Sequence, residues 1–390
     1  MELQKRNVLI LSIAQGLSVT STSINILNTG LVGSLLASSK AYATIPLSLQ
    51  FLTIALTLIP VSLFMGKIGR KPMFLLGAIS AILGYITIAF SIFDKNFLLF
   101  IFGSVLVGFS QANQQFYRYA AADNVNDKFK SKAISLVLAG GVVAAVFGPE
   151  ISRYSFDLFP KYFYLGTYIL AALVQFLNFL ILLFIKIEKP KKQTGKIRPL
   201  IAILNQKILI IAISAAAIGY SLMSFIMTAT PLQIVNICKL GDSVSATVIQ
   251  WHIIAMYAPS FFTGSIIIFL GNRKVMLIGL FLYFFSLCFG IIGQSVYHFW
   301  IALFLCGLGW NFLYVGGSDI IAKSSTPEER SKVQGVTDFI IFIFVAGGSF
   351  LAGILHSNIG WEKMISYAFI PLFILLFSIL YISRREFKLQ

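Results

Sequence analysis

The sequence predicts an all-α membrane protein in which twelve transmembrane helices form two repeated six-helix bundles. The 390-residue chain is 58% hydrophobic and only 11% charged, and its mean hydropathy is +0.88. Apolar segments of about 20 residues, the length that crosses a hydrocarbon core of ~30 Å, recur from one end of the chain to the other. The first six segments share motifs with the last six, which indicates a duplicated architecture.

Short charged or turn-rich loops separate the apolar segments, as in membrane proteins with many spans. The first segment follows the basic start MELQKRN, but it is longer than the apolar part of a signal peptide and lacks a small-residue cleavage pattern. We therefore interpret it as the first helix. The predicted spans are residues 8–36, 42–65, 72–93, 97–120, 131–152, 162–186, 206–230, 244–268, 275–295, 298–321, 331–355 and 364–383.

The basic residues indicate the orientation of the chain. Its net charge of +16 would suit a nucleic-acid partner only if a soluble domain carried a basic face, and no soluble domain is predicted. Most of the 30 Lys and Arg lie instead in the tails and in alternate loops. The positive-inside rule places these loops and both termini in the cytoplasm. We expect a monomer in a lipid bilayer, without nucleic acid.

One long charged connector, KIEKPKKQTGKIRP, divides the spans into six and six. The predicted domains are therefore an N-terminal six-helix bundle, residues 1–188, a cytoplasmic linker, residues 189–203, and a C-terminal six-helix bundle, residues 204–390.

Three motifs recur in the second half, displaced by 202, 201 and 200 residues. Because an even number of spans separates the copies, both have the same orientation, as in parallel repeats related by an axis along the membrane normal. The matched pairs are GRKPMFLLG (from Gly69) with GNRKVMLIG (from Gly271), GFSQAN (from Gly108) with GWNFLY (from Gly309), KSKA (from Lys130) with RSKV (from Arg330) and, more weakly, Gly148 with Gly348.

With twelve spans, two halves and a basic central loop, the chain resembles the major facilitator superfamily. Its segment GKIGRKP is similar to the family's loop between spans 2 and 3, but Gly66 stands where the family has Asp. The resemblance implies a secondary transporter of the bacterial inner membrane. It also implies a cytoplasmic gate, although the missing Asp leaves the chemistry of that gate open. The gate candidates are Lys67, Gly69, Arg70, Lys71, Asp123, Glu329 and Arg330.

The stretch SQANQQFYRYAAAD, residues 110–123, places unusual polarity in span 4. Gln111, Gln114, Gln115 and Arg118 follow helical spacing, which predicts that they share one helix face. An Arg in mid-membrane is costly, so this face should meet a water-filled cavity or an acidic partner. We interpret Arg118 as a cation that orients substrate. The alternative is that it extends to the cytoplasmic surface or pairs with Asp123.

Other polar and aromatic residues complete the predicted substrate site. Gln15 and Asn25 lie on a polar stripe of span 1, and the displacement of 202 residues places His252 over Gln50. Trp251, Trp310 and Tyr314 could stack on a flat substrate, but such polar and aromatic side chains also simply pack membrane helices. The complete predicted set is Gln15, Asn25, Gln50, Gln111, Gln114, Gln115, Arg118, Tyr220, His252, Trp310, Asn311 and Tyr314.

Three acids within spans, Glu150, Asp319 and Asp338, are the candidates for proton coupling. Desolvation favours the protonated form of a buried carboxyl, so such a group can take up a proton on one side and release it on the other. The alternative is that these acids form static ion pairs.

The sequence thus predicts a secondary active transporter that moves a small polar or anionic organic solute by alternating access, with proton-coupled uptake. The resemblance alone suggests riboflavin-like vitamins or siderophores. Proton-driven efflux of drugs or metabolites is the alternative, supported by the partial Gly-Pro element GGVVAAVFGPE, residues 140–150, in span 5. A membrane enzyme is not expected, because no nucleophile–base pair, metal-ligand cluster or cofactor motif is recognisable. A channel remains a further possibility.

Overall fold

The computed structural model describes residues 2–123, 127–187, 198–325 and 329–381. The first half is built from α-helices and one short 3₁₀ turn, Lys40–Tyr42. Its helices are α1 (Glu2–Leu36), α2 (Ile45–Ile68), α3 (Arg70–Phe93), α4 (Phe97–Gln114), α5 (Tyr117–Asp123), α6 (Asp127–Ser155) and α7 (Leu165–Leu183).

The second half is also helical. One turn of π-helix, Leu232–Ile237, extends its first long helix. Its α-helices are α8 (Leu200–Leu204), α9 (Lys207–Pro231), α10 (Asp242–Tyr257), α11 (Ser260–Leu270), α12 (Asn272–Ile292), α13 (Val296–Lys323), α14 (Arg330–Ile359), α15 (Trp361–Tyr367) and α16 (Phe369–Tyr381).

The all-α membrane fold class is confirmed. Within the described residues, ten helices are long and apolar enough to cross a membrane, and there are eleven when the bent pair α10 and α11 is counted as one span. These helices match eleven of the twelve predicted spans. The remaining predicted span, 131–152, lies inside the 29-residue helix α6.

Three spans that the sequence predicts as continuous are interrupted. Span 4 breaks at Gln115 and Phe116, span 8 bends by 44° before Ser260, and span 12 is divided at Ala368. Pro259 explains the second break, because proline lacks an N–H and its ring clashes with the preceding turn of a helix.

The chain forms two compact units. One contains Met1–Lys191 together with Pro231–Gln250, and the other contains Lys192–Thr230 with Trp251–Gln390. The sequence assigns Pro231–Gln250 to the C-terminal bundle, yet this segment packs within the first unit. It is joined covalently to the second unit at both ends.

Within the first unit, α1 packs along α6 and α7, while α4 packs against α2 and α3. Hydrogen bonds between polar side chains also link some of these helices. Asn28 and Ser152 join α1 to α6 through a bond of 2.8 Å, and Asn178 donates to Ser18 at 3.0 Å between α7 and α1. A hydrogen bond between helices satisfies groups that lipid cannot satisfy.

The two copies of the repeated loop share one backbone conformation. Gly69 has φ 97° and ψ 163°, and Gly271 has φ 81° and ψ 152°. Each glycine ends one helix and begins the next, in a left-handed region that only glycine enters without strain. Two residues further on, a basic side chain caps the last helix of its own half. Lys71 donates to the Leu183 carbonyl at 2.6 Å, and Arg273 donates to the last carbonyls of α16 at 3.3 Å.

The packing of α4 and α13 corrects the sequence alignment of the repeat. A Cβ on Gly108 would lie 2.6 Å from the carbonyl oxygen of Gln50, and a Cβ on Gly307 would lie 2.6 Å from that of His252. Gly108 therefore corresponds to Gly307, two residues before the Gly309 that the sequence match selects. In this register Gln111 corresponds to Trp310. The pairing of Gln50 with His252 is the one predicted.

Adding a methyl group at either contact should destabilise the protein. Gly108→Ala and Gly307→Ala each force two helix backbones apart, and overpacking of this kind costs about 1–3 kcal/mol. Gly264→Ala is the matched control, because a Cβ there meets nothing within 4 Å. Thermal unfolding in detergent should show a lower Tm for the first two variants and an unchanged or higher Tm for the control. Equal Tm values for all three would contradict the close packing.

Candidate functional site

Three buried amides in the first unit form a continuous hydrogen-bonded chain. Asn25 on α1 donates to Gln50 on α2 at 2.6 Å, and Gln50 donates to Gln111 on α4 at 3.0 Å. Gln111 then donates to the Thr22 hydroxyl at 3.0 Å, which returns the chain to α1. The structure thus brings together three predicted site residues from three helices. Thr22 is half-buried, so the chain runs from the protein interior towards a more accessible position.

Each amide in this chain uses one group as a donor and another as an acceptor. Asn25 also accepts from the Thr29 hydroxyl at 3.1 Å, one turn along the same helix. Hydrogen bonds in a low-dielectric interior polarise one another, and an amide without its partner is costly there. The chain therefore fixes α1, α2 and α4 together.

The remaining polar residues of span 4 do not share the single helix face that their spacing predicts. The chain turns at Gln115, where the Phe116 N–H bonds the Asn113 carbonyl at 3.1 Å, so Arg118 lies on the separate helix α5. The Arg118 guanidinium lies 4.8 Å from the centre of the Tyr119 ring and donates to its hydroxyl at 3.1 Å. Gln114 is buried. Gln15 is half-buried on α1, and the Asp123 side chain lies outside the described parts.

The second unit brings four aromatic rings together from three helices. Trp310 and Tyr314, one turn apart on α13, are nearly parallel with centroids 4.9 Å apart. Tyr220 of α9 meets both edge-on, at 5.3 and 5.5 Å, and Tyr257 of α10 meets Trp310 at 5.9 Å. We call Tyr220, Tyr257, Trp310 and Tyr314 the aromatic group. Trp251 does not join it and instead meets Trp300 and Phe304.

His252 is completely buried in α10. Its Nδ1 lies 2.6 Å from the carbonyl oxygen of Leu303 on α13, and because a carbonyl only accepts, Nδ1 carries a proton and donates it. Its Nε2 has no hydrogen-bond partner among the described residues. His252 therefore joins α10 to α13 much as its counterpart Gln50 joins α2 to α4.

Asn311 is fully engaged at the bend between α10 and α11. Its amide nitrogen donates to the Met256 carbonyl and to the Ser260 hydroxyl, both at 2.7 Å, and its oxygen accepts from Thr263 at 2.6 Å. Pro259 leaves carbonyls in the preceding turn without their helical partners. Asn311 satisfies one of them, so the structure gives it a clear role in holding the bend.

Asp319 and Glu150, both coupling candidates, have ion-pair partners. Asp319 lies 2.7 Å from Lys323 and accepts from Asn272 at 2.8 Å. Glu150 lies 3.0 Å from Arg153, and Gln250 donates to it at 3.4 Å. Asp338 is half-buried on α14. The static ion pairs considered from the sequence are thus present for Asp319 and Glu150.

The gate candidates fall into separate local structures. Lys71 caps α7, and Lys67 is exposed at the end of α2. A Cβ on Gly66 would meet nothing within 4 Å, so the position has room for the family's Asp. Arg70 is half-buried at the start of α3.

Glu329 is buried in the second unit and binds a residue that the sequence reasoning missed. Its carboxylate accepts from Arg198 Nε and Nη2, each at 2.7 Å, and from the Arg198 backbone N–H at 3.0 Å. Arg198 lies in the predicted linker, whose run of basic residues gave no reason to single it out. The Arg330 side chain lies outside the described parts, which contain no cluster of metal-binding side chains.

The comparisons with known proteins agree with this architecture. The model of the Major Facilitator Superfamily matches residues 11–237 and 226–390. The chain belongs to this superfamily. It is therefore a membrane transporter with the fold of that family, and not an enzyme.

Named relatives extend along almost the whole chain. The riboflavin transporter RfnT of Brucella anthropi is 39% identical over 366 residues, which cover 92% of this chain and 91% of that protein. The uncharacterized MFS-type transporter YdeG of Bacillus subtilis is 29% identical over 90% of this chain and 86% of its own. The human organic anion transporter MFSD10 is 13% identical, with a TM-score of 0.68 over 96% of this chain and 99% of that one, and shows the shared fold.

Replacing Asn311 should loosen the bend. Asn311→Leu leaves the Met256 carbonyl without its side-chain donor, and an unsatisfied buried polar group costs about 1–3 kcal/mol. Thermal unfolding in detergent should therefore give a lower Tm. Asn205→Leu, at an exposed position after α8, is the control and should leave Tm unchanged. A Tm for Asn311→Leu equal to that of the wild type would exclude this role.

Proposed function

We propose that this transporter imports riboflavin, or a solute with the same combination of a flat heteroaromatic ring and a hydroxylated chain, across the bacterial inner membrane. The observation that carries the proposal is the 39% identity to a riboflavin transporter over 92% of this chain. Such similarity over both halves includes the helices that contain the amide chain and the aromatic group. In this proposal both termini are cytoplasmic and the protein acts as a monomer.

The chemistry of the two groups suits such a solute. Hydroxyl groups are donors and acceptors, and so are the amides of Asn25, Gln50 and Gln111. A flat ring suits aromatic side chains, which gain about 0.5–1.5 kcal/mol from a well-placed ring neighbour. The other predicted residues, Gln15, Gln114, Gln115, Arg118 and His252, remain part of the proposed substrate site.

We further propose alternating access driven by protons, with Glu150 as the first of the three candidate acids. Glu150 accepts from Gln250, which lies in the segment Pro231–Gln250, and also pairs with Arg153. Arg153 in turn donates to Thr247 of the same segment at 2.7 Å. A proton on Glu150 would remove the charge that holds Arg153 and would weaken these two contacts with the segment. Proton binding and movement of the segment would then be linked.

Export is the second candidate. The Gly-Pro element of α6 favours it, and this element packs tightly on α1, because a Cβ on Gly140 would lie 2.4 Å from the Ser12 carbonyl oxygen. The direction of net transport separates the two possibilities.

Uptake of labelled riboflavin into bacteria that lack their own uptake system tests the proposal. The protein should cause accumulation of label, and Gln111→Leu should reduce the initial rate about tenfold or more, because two hydrogen bonds of the amide chain are lost. Gln206→Leu, between α8 and α9, is the control. Each variant's amount in the membrane is measured alongside. If cells with normal amounts of the wild-type protein accumulate no riboflavin, the uptake proposal is wrong, and faster loss of preloaded label would indicate export.

Coupling is tested in vesicles with an imposed pH step. Glu150→Gln keeps the shape of the side chain but cannot bind and release a proton. We expect this variant to retain exchange of labelled for unlabelled riboflavin and to lose pH-driven accumulation. Asp157→Asn, in the loop after α6, is the control. Full pH-driven accumulation by Glu150→Gln would exclude Glu150 as the coupling residue. Failure of the wild type to concentrate label by counterflow would indicate a channel.

A further inference from the structure

The indole N–H of Trp310 is one of several buried polar groups whose hydrogen-bond partner the described residues do not supply. The side chain is only 4% exposed, and its Nε1 has no hydrogen-bond partner among the described residues. Trp361, equally buried in the same unit, donates its Nε1–H to the Gly290 carbonyl at 2.7 Å. A buried donor without a partner is rare in folded proteins and calls for an explanation.

The rings around Trp310 are less buried than Trp310 itself. Trp310 itself is buried, but Tyr220, Tyr257 and Tyr314, which meet its ring, are only half-buried. Their rings come from α9, α10 and α13 and combine one nearly parallel and several edge-on contacts. A rigid group of rings with partly accessible edges can accept a further flat ring at little cost in side-chain entropy.

Asn311 positions this group. Its amide binds the carbonyl of Met256, the residue before Tyr257, and Asn311 itself follows Trp310 in the chain. The bend at Pro259 and the helix that carries Trp310 are therefore fixed to each other next to both rings. Asn311 acts here as a positioning residue, and its own amide is occupied.

We propose that the aromatic group is the ring-binding subsite of the transporter and that Trp310 Nε1–H donates a hydrogen bond to an acceptor on the ring of the solute. The inference rests on the proposed function for its ligand class. It excludes pure hydrocarbon rings as good ligands, because they offer no acceptor for the buried N–H. A heteroaromatic ring with ring nitrogens or carbonyl groups, such as the isoalloxazine of riboflavin, satisfies both the stacking and the donor.

Fluorescence titration of the purified full-length protein tests the subsite. Stacking on Tyr or Trp quenches flavin fluorescence, so binding of riboflavin and of lumichrome, which has the ring system without the hydroxylated chain, can be followed directly. Trp310→Phe keeps an aromatic ring but removes the N–H. We expect its Kd for both ligands to rise about tenfold, as for the loss of one hydrogen bond to a buried donor. Trp300→Phe, outside the aromatic group, is the control and should bind as the wild type does.

A second variant, at a different ring of the aromatic group, provides an independent test if Trp310→Phe does not fold. Tyr314→Leu removes the ring parallel to Trp310, and we expect weaker binding together with less quenching in the bound state. Ribitol, which has no ring, should not compete with lumichrome in any variant. If the wild type binds riboflavin and both Trp310→Phe and Tyr314→Leu bind it equally well, the subsite is wrong while the proposed function stands. If the wild type binds neither riboflavin nor lumichrome, the proposed function and the subsite both fail.

Discussion

A polar group inside a hydrocarbon core must find its partner within the protein, because lipid offers none. This constraint explains why the amides of Asn25, Gln50 and Gln111 bond to one another across three helices. It also explains why the amide nitrogen and oxygen of Asn311 both form hydrogen bonds with residues at the bend between α10 and α11. Polar residues that look like substrate ligands in the sequence are thus often part of the scaffold. The same constraint makes the free N–H of Trp310 informative.

The two halves share a scaffold but differ in chemistry. Each loop joins two helices through a tight turn, and equivalent residues form that turn in both halves. These are the positive-φ glycines Gly69 and Gly271 and the basic caps two residues later. Close contacts between helices are also repeated, at Gly108 and at Gly307. The side chains beside these contacts differ, since Gln111 corresponds to Trp310. The two halves therefore share a framework, which carries the amide chain in the first half and the aromatic group in the second.

Spans, repeat and family could be predicted because hydropathy and short motifs are local properties of the sequence. The helix break at Gln115 could not, since no proline lies there or in the following turn, whereas Pro371 in the first turn of α16 is a local signal for the break at Ala368. The roles of Asn311 and Lys71 depend on carbonyls that lie far away in the chain, at Met256 and Leu183. The sequence alignment pairs Gly108 with Gly309, two residues away from Gly307, because the contact that identifies Gly307 is with a residue distant in the chain. Several glycines were available in the second half, and only the packing against His252 selects Gly307.

The segment Pro231–Gln250 is attached to the rest of the first unit by contacts of two kinds. It belongs to the first unit, yet it is continuous with the second unit at both ends. Three of its attachments are polar: Asn236 donates to Ser34 at 3.1 Å, Arg153 donates to Thr247, and Tyr164 donates to Asp242. Its Leu232 and Val235 also pack against the apolar core of the first unit. Hydrogen bonds of this kind can be exchanged for water at small net cost, whereas an apolar interface could not. The segment is therefore held to the first unit both by polar contacts that water can replace and by apolar contacts that water cannot replace.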